Sequence, residues 1–88
     1  MPLISSFWGV LIYMYQEQDS PHHKPHVHAV FRGSKMSIAA DGEILAGILP
    51  RKQQKLVEAW VALREDEIMA SWIALNENNE VIKIGGLD

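Results

Sequence analysis

The sequence predicts an α+β domain, in which a small antiparallel β-sheet packs against one or two helices. Three observations lead to this fold class. An apolar run covers residues 9–15, polar and apolar residues alternate on both sides of Gly33-Ser34, and apolar residues recur at helical spacing between 51 and 76. The chain has 88 residues, which suffices for one domain with a single core.

The predicted sheet consists of strand 9–15, a hairpin over 26–40 and a short C-terminal strand over 81–84. In the hairpin, Gly33-Ser34 is interpreted as a two-residue type II′ turn, because that turn prefers Gly at its first central position. This register places Arg32 opposite Lys35. Side chains alternate with period two, so one face of the hairpin is apolar and the other is mainly polar. The polar face is predicted to carry His26, His28, Arg32, Lys35, Ser37 and Asp41.

Residues 51–76 are predicted to be helical. Pro50 precedes them, and Pro is favoured in the first turn of a helix. We divide the region into two helices near residues 64–66, although one long helix also fits the pattern. The acidic cluster at 65–67 favours the division, because the dipole at a helix N-terminus attracts negative charge. Residues 43–49 form a short extended segment ahead of the helices.

Composition narrows the classes of site and of partner. The chain has no cysteine, so any metal must be bound by His, Asp or Glu. Its net charge of −3 argues against avid nonspecific binding to nucleic acid. Residues 20–55, however, hold six of the eight Lys and Arg residues and only two of the eleven Asp and Glu residues, which leaves room for a local anion-binding surface. We expect no secretion signal and no membrane span, and therefore a cytoplasmic protein.

All four histidines lie in the stretch PHHKPHVHA, residues 21–29. His26 and His28, two positions apart on a strand, project together and can ligate a divalent transition metal, with His22 reaching in from the preceding loop. The same pair has a second interpretation. His26 oriented by Asp41 would exchange protons near neutral pH, with His28 as its partner. The structural alternative is a set of hydrogen-bonded histidines on a half-exposed sheet face.

The basic residues near this strand extend the acid–base interpretation. Arg32, Lys35 and Ser37 could bind a phosphate, which gives the outline of a metal-independent ribonuclease. The alternative is that the two charged side chains extend into water at the hairpin tip.

A second basic group opens the helical region. Arg51, Lys52 and Lys55 lie where cations oppose the helix dipole, so they could bind phosphate or an acidic partner, or simply form a solvated face. Tyr13 and Tyr15 share one side of their strand, where they line either the histidine face or the underside of the helices. The two helical tryptophans are predicted to lie in the core.

The chain resembles the short bacterial proteins known as domain of unknown function 4160. The resemblance spans nearly the whole chain, and the residues that carry it are Phe7-Trp8-Gly9, Met14-Tyr15, Pro25-His26-Val27-His28-Ala29, the run from Gly42 to Arg51, and Trp60. Lys24 and Val27 depart from the usual proline and phenylalanine. Such proteins are often encoded beside domain of unknown function 2442, which implies a small cognate protein partner and a toxin–antitoxin pair. The resemblance implies no particular activity.

Two classes of function therefore remain open. One is a toxin-like protein that acts on RNA through the predicted histidine, arginine and lysine face and is regulated by its partner. The other is a non-enzymatic module that binds a protein or an anion on that face or at the start of the helical region, or that binds metal through its histidines. The sequence leaves the oligomeric state open.

Overall fold

The computed structural model describes residues 2–16 and 24–87. Five strands form one antiparallel sheet in the order in which they occur in the chain, and two helices follow them. The α+β fold is confirmed. The elements are β1 (Leu3–Phe7), β2 (Val10–Tyr13), β3 (His26–Phe31), β4 (Ser34–Ala39), β5 (Ile44–Gly47), α1 (Arg51–Leu63) and α2 (Glu65–Asn78).

The two faces of the sheet differ as the alternating pattern predicts. Val27 and Ala29 of β3 and Ile38 of β4 have no exposed surface, and they join side chains of both helices in one core. From the helices the core takes Val57, Trp60, Val61, Ile68 and Leu75. We call this the covered face and the opposite one the outer face. The outer face is the one that presents His28, Lys35 and Ser37.

The register of the β3–β4 hairpin differs from the prediction by two residues. Val30, not Arg32, pairs with Lys35, and His26 pairs with Ala39 instead of Asp41. The central turn residues are Arg32 and Gly33, both with positive φ, which indicates a type I′ rather than a type II′ turn. Its twist matches that of the flanking strands, and Gly33 takes the second positive-φ position. A shift of two residues preserves the faces, so the predicted faces survive the wrong register.

The helical region starts and divides where the sequence indicates. Pro50 caps α1, and Arg64 separates α1 from α2, with the three acidic residues in the first turn of α2. The guanidinium of Arg64 donates to Glu67 at 3.0 Å and to the carbonyl oxygen of Gly86 at 3.0 Å. Arg64 thereby ties the junction between the helices to the C-terminal segment.

The predicted C-terminal strand is wrong, because residues 81–87 form no strand. The Ile84 amide still donates to the carbonyl oxygen of Ile4 in β1 at 2.8 Å. Helical side chains bind the neighbouring backbone. The Ser71 hydroxyl bonds both the carbonyl and the amide of Ile82, and the Trp60 indole N–H donates to the Gly85 carbonyl oxygen at 2.7 Å. The backbone groups of Ile82 and Gly85 are therefore bonded to helical side chains and not to a neighbouring strand.

Candidate functional site

A concave surface lies on the outer face, across β2, β3 and β4. It has a volume of about 360 Å³ and is lined by Tyr13, Tyr15, His28, Val30 and Lys35. The strand pairs Tyr13–His28 and Val30–Lys35 bring its members together from three strands. We call it the tyrosine–histidine pocket. Of the two arrangements that the sequence left open for the tyrosines, the structure shows the one on the histidine face.

His28 is the histidine that lines this pocket. Its Nδ1 lies 3.1 Å from the Ser37 hydroxyl, directly across the β3–β4 pair. The Tyr15 ring meets the imidazole edge-on, with the ring centroids 4.7 Å apart, and Tyr13 lies parallel to Tyr15 at 6.3 Å. Strand pairing and ring contacts therefore fix the orientation of the imidazole before any ligand arrives.

His26 occupies a different environment although it projects to the same side of β3. Its exposed fraction is 1%, because the Trp72 ring of α2 packs 5.1 Å from it and the His28 ring 5.2 Å from it. Its Nδ1 lies 2.7 Å from the Lys24 carbonyl oxygen, which can only accept, so Nδ1 carries the proton. Since His26 is enclosed, its contact with the outer face is through the ring of His28.

Asp41 does not pair with His26, so that part of the acid–base prediction is wrong. The Lys24 ammonium donates to Asp41 at 2.8 Å and to Glu43 at 2.6 Å. The hydrogen bond from Lys24 is the main cause that holds the pKa of Asp41 below its usual value, and a bond from the Glu43 amide adds to it. The Asp41 carboxylate raises the pKa of Lys24 in turn. The three residues close the turn after β4 rather than forming part of the pocket.

The predicted anion-binding residues fall into separate places. Lys35 lines the tyrosine–histidine pocket, and Ser37 holds His28. Arg32 lies at the hairpin turn, with its guanidinium 5.1 Å above the Phe31 ring.

The basic start of α1 forms a shallow depression of its own, of about 280 Å³. Arg51 and Lys55 line it together with Ile48, Leu49, Gln54 and Glu58. Lys52 is exposed beside it. The structure therefore does not bring the two predicted basic groups into one site.

The metal site stays a prediction. His22 lies outside the described residues, so its position relative to His26 and His28 is not shown. Within residues 2–16 and 24–87, no three His, Asp or Glu side chains are placed to hold a metal ion. The described helices also include none that is long and apolar enough to cross a membrane.

Sequence reasoning missed two features of the site. Val30 forms part of the wall of the pocket, and Trp72 encloses His26 instead of serving only the core. The first follows from the corrected register, because Val30 then faces Lys35. No pattern in the sequence signals the second, because it depends on the path of α2 over the end of β3.

Comparison with known proteins identifies the family of this chain. No curated protein and no solved structure matches it significantly. The family described as Domain of unknown function (DUF4160) matches residues 9–73, which include β2 to β5, α1 and the Trp72 turn of α2. Because this match covers well over half of the chain, the protein belongs to the DUF4160 family.

Proposed function

We propose that the protein binds single-stranded RNA on the outer face of its sheet and cleaves it there, as the toxin-like member of a two-protein module. One observation carries the proposal. A single pocket unites two tyrosine rings, an oriented imidazole and an ammonium group, contributed by Tyr13, Tyr15, His28 and Lys35.

The tyrosines and the lysine supply the two contacts that single-stranded RNA requires. Unstacked bases pack on aromatic rings without regard to sequence, and a lysine attracts the phosphate between them. Neither the β1–β2 nor the β3–β4 hairpin contains an acidic residue, so no carboxylate within them repels the phosphates. The core helices pack on the covered face, and of the outer face they cover the end at His26, where Trp72 packs, so the surface around the pocket stays accessible to a strand of RNA.

His28 supplies the proton transfer that RNA cleavage requires. Its imidazole accepts the proton of a ribose 2′-hydroxyl, and the resulting oxygen attacks the adjacent phosphorus. The bond from phosphorus to the 5′-oxygen then breaks, and that oxygen takes a proton from the Lys35 ammonium. The products are a 2′,3′-cyclic phosphate and a 5′-hydroxyl. His26 is a positioning residue in this scheme, because its ring packs against that of His28.

The net charge of the protein sets the expected form of the binding. Since the chain carries −3 overall, long-range attraction contributes little, and stacking supplies most of the affinity. With Lys35 as the one phosphate contact in the pocket, the logarithm of affinity for single-stranded RNA should fall with the logarithm of salt concentration at a slope of about −0.7.

The test measures binding and cleavage with the same RNA. Fluorescence anisotropy of an end-labelled octanucleotide gives the affinity, and gel separation in EDTA shows whether a cyclic-phosphate product forms. We expect His28→Ala to abolish cleavage and to leave binding within about threefold, and Lys35→Gln to weaken both.

Lys83→Gln is the matched control, because Lys83 is an exposed lysine outside the pocket. It should behave as wild type in both assays. Expression in a bacterial host should arrest growth for wild type and Lys83→Gln but not for His28→Ala. An octanucleotide that wild-type protein neither binds nor cleaves would rule the proposal out.

The depression at the start of α1 favours a second candidate, a non-enzymatic module that binds an anion or an acidic partner. Arg51 and Lys55 flank it, and the free amides of a helix N-terminus also attract anions. NMR titration with inorganic phosphate tests it. Shifts confined to the amides of Arg51 to Lys55 would support this candidate, whereas shifts at His28 and Lys35 would support the pocket.

A further inference from the structure

Two hairpin turns lie side by side at one end of the sheet and share an unusual feature. Trp8 and Gly9 join β1 to β2, and Arg32 and Gly33 join β3 to β4. All four residues have positive φ, at 52° and 82° in the first turn and 46° and 86° in the second. Type I′ turns require this conformation and favour Asn, Asp or Gly at the first central position. A tryptophan and an arginine occupy that position here.

The fold gains little packing from these two side chains. Trp8 is 63% exposed, whereas Trp60 is fully buried in the core. Arg32 is also exposed. A bulky residue in the left-handed region costs stability, and such strain is concentrated where a side chain is needed for binding. The backbone strain and the exposure of the tryptophan are independent observations that indicate the same role.

The Phe31 ring joins the two turns into one surface. The Arg32 guanidinium lies 5.1 Å above it. Gly9 also comes so near that a Cβ at that position would lie 3.2 Å from the ring. Val30, part of the tyrosine–histidine pocket, is two residues from Arg32, or about 7 Å along the strand. Phe31 alternates with Val30 and packs against the core, so the turn surface of Trp8, Phe31 and Arg32 lies at the hairpin end of the sheet, beyond the pocket.

We propose that this turn surface is a second RNA subsite, in which a base stacks on the Trp8 indole and Arg32 binds the adjoining phosphate. The inference rests on the proposed function and extends it from one pocket to a path that runs from the outer face to the hairpin end of the sheet. The aromatic rings favour RNA over an acidic protein segment, because the pocket and the turns each offer an accessible ring for base stacking beside a cation. Tryptophan and arginine are the side chains that bind bases and phosphates most effectively in this way.

The distance between the subsites makes the proposal testable by ligand length. His28 lies in β3 and Arg32 in the turn that follows it, four residues or at most about 13 Å further along the chain. A dinucleotide held in the tyrosine–histidine pocket should therefore leave the turn surface empty, whereas an octanucleotide should reach it.

The variants Trp8→Asn and Arg32→Asn separate binding from folding. Each replaces a strained residue by one that the turn favours, so each should raise the melting temperature. Each should weaken binding of the octanucleotide, Trp8→Asn by about fivefold or more, and leave binding of the dinucleotide unchanged. Trp8→Tyr keeps an aromatic ring and should retain most of the affinity.

Leu63→Asn is the control for loss of an exposed apolar side chain, because Leu63 is 73% exposed at the end of α1. It should leave both affinities unchanged. Octanucleotide affinity that persists in Trp8→Asn, or a melting temperature that falls in that variant, would overturn the second subsite and leave the proposed function standing. If wild-type protein binds neither oligonucleotide, both proposals fail.

Discussion

The covered and outer faces of the sheet come from the same strands but have opposite compositions. On the covered face, Val27, Ala29, Met36 and Ile38 of β3 and β4 are apolar and have almost no exposed surface. On the outer face, the alternate positions of the same strands present His28, Lys35 and Ser37. Beside them lie Tyr13, at the end of β2, and Tyr15, two residues further along. One period-two pattern therefore separates the residues that build the core from those that face the outer surface. Substitutions on the covered face should alter folding, and those on the outer face should alter binding.

The largest expected loss of stability comes from substitution of Trp60, which α1 contributes to the core on the covered face. Its ring is fully buried, packs 5.5 Å from the Phe7 ring, and donates its N–H to Gly85. Trp60→Ala removes this contact and leaves a cavity, so it should lower the free energy of unfolding by about 3–5 kcal/mol. Chemical denaturation measures the change.

Tyr15→Ala is the comparison on the outer face. It should cost far less stability than Trp60→Ala, because Tyr15 lines an open pocket. Equal losses in the two variants would contradict the division between the faces.

The second effect concerns Gly47, which pairs with Met36 where β5 joins the sheet. Gly47 has a φ of 76°, and a Cβ at that position would overlap the backbone oxygen of Lys35. Gly33 has a similar φ of 86° but open space around it. Gly47→Ala should therefore destabilise the fold by about 1–3 kcal/mol more than Gly33→Ala does.

Paired thermal melts of the two alanine variants measure this difference directly. Because the conformational cost is nearly the same in both, the excess reports the contact with the backbone of Lys35 and Met36. Matching melting temperatures would show that β5 can move away from β4.

Much of this fold could be predicted because the deciding interactions are local. The alternating pattern of residues 26–40, the proline before α1 and the acidic turn of α2 each depend on neighbouring residues. β1 was not predicted as a strand. Its Ser5-Ser6 pair interrupts the apolar pattern, and a bulge between Leu3 and Ser5 disturbs the alternation.

The candidate site was harder to predict because it depends on distant pairings. The choice of turn decides whether His26 faces Asp41 or Ala39, and two-residue turns centred on Arg32-Gly33 or Gly33-Ser34 both fit the sequence. The burial of His26 depends on Trp72, which is 46 residues away in the chain. Local patterns predicted the face but not which histidine reaches its surface.

The third effect distinguishes those two histidines. His26→Ala leaves the Lys24 carbonyl oxygen without its donor and a gap beside Trp72, so it should cost about 1–3 kcal/mol of stability. His28→Ala should cost about 0.5 kcal/mol or less, because His28 is half-buried on the open side. Chemical denaturation of the two variants, measured side by side with wild type, gives the two losses of stability. A greater loss for His28→Ala would contradict the assignment of His26 as the enclosed residue.

The smallest effect comes from Lys24 and Asp41, which lie at the margin of both faces. Asp41 has a lowered pKa, so its contribution to stability is present above its usual pKa and is lost as pH falls through the pKa of the folded state. Lys24 has a raised pKa, so its contribution is present below its usual pKa and is lost as pH rises through the folded value. The difference in melting temperature between wild type and Lys24→Gln should be constant from about pH 5 to pH 9 and shrink at both extremes. It should be small and fall further in salt, because the two side chains are 46% and 54% exposed. Lys83→Gln, measured across the same pH range, should differ from wild type by an amount that does not change as Asp41 titrates. A difference between wild type and Lys24→Gln that grows toward pH 3 would contradict the pairing of Lys24 with Asp41.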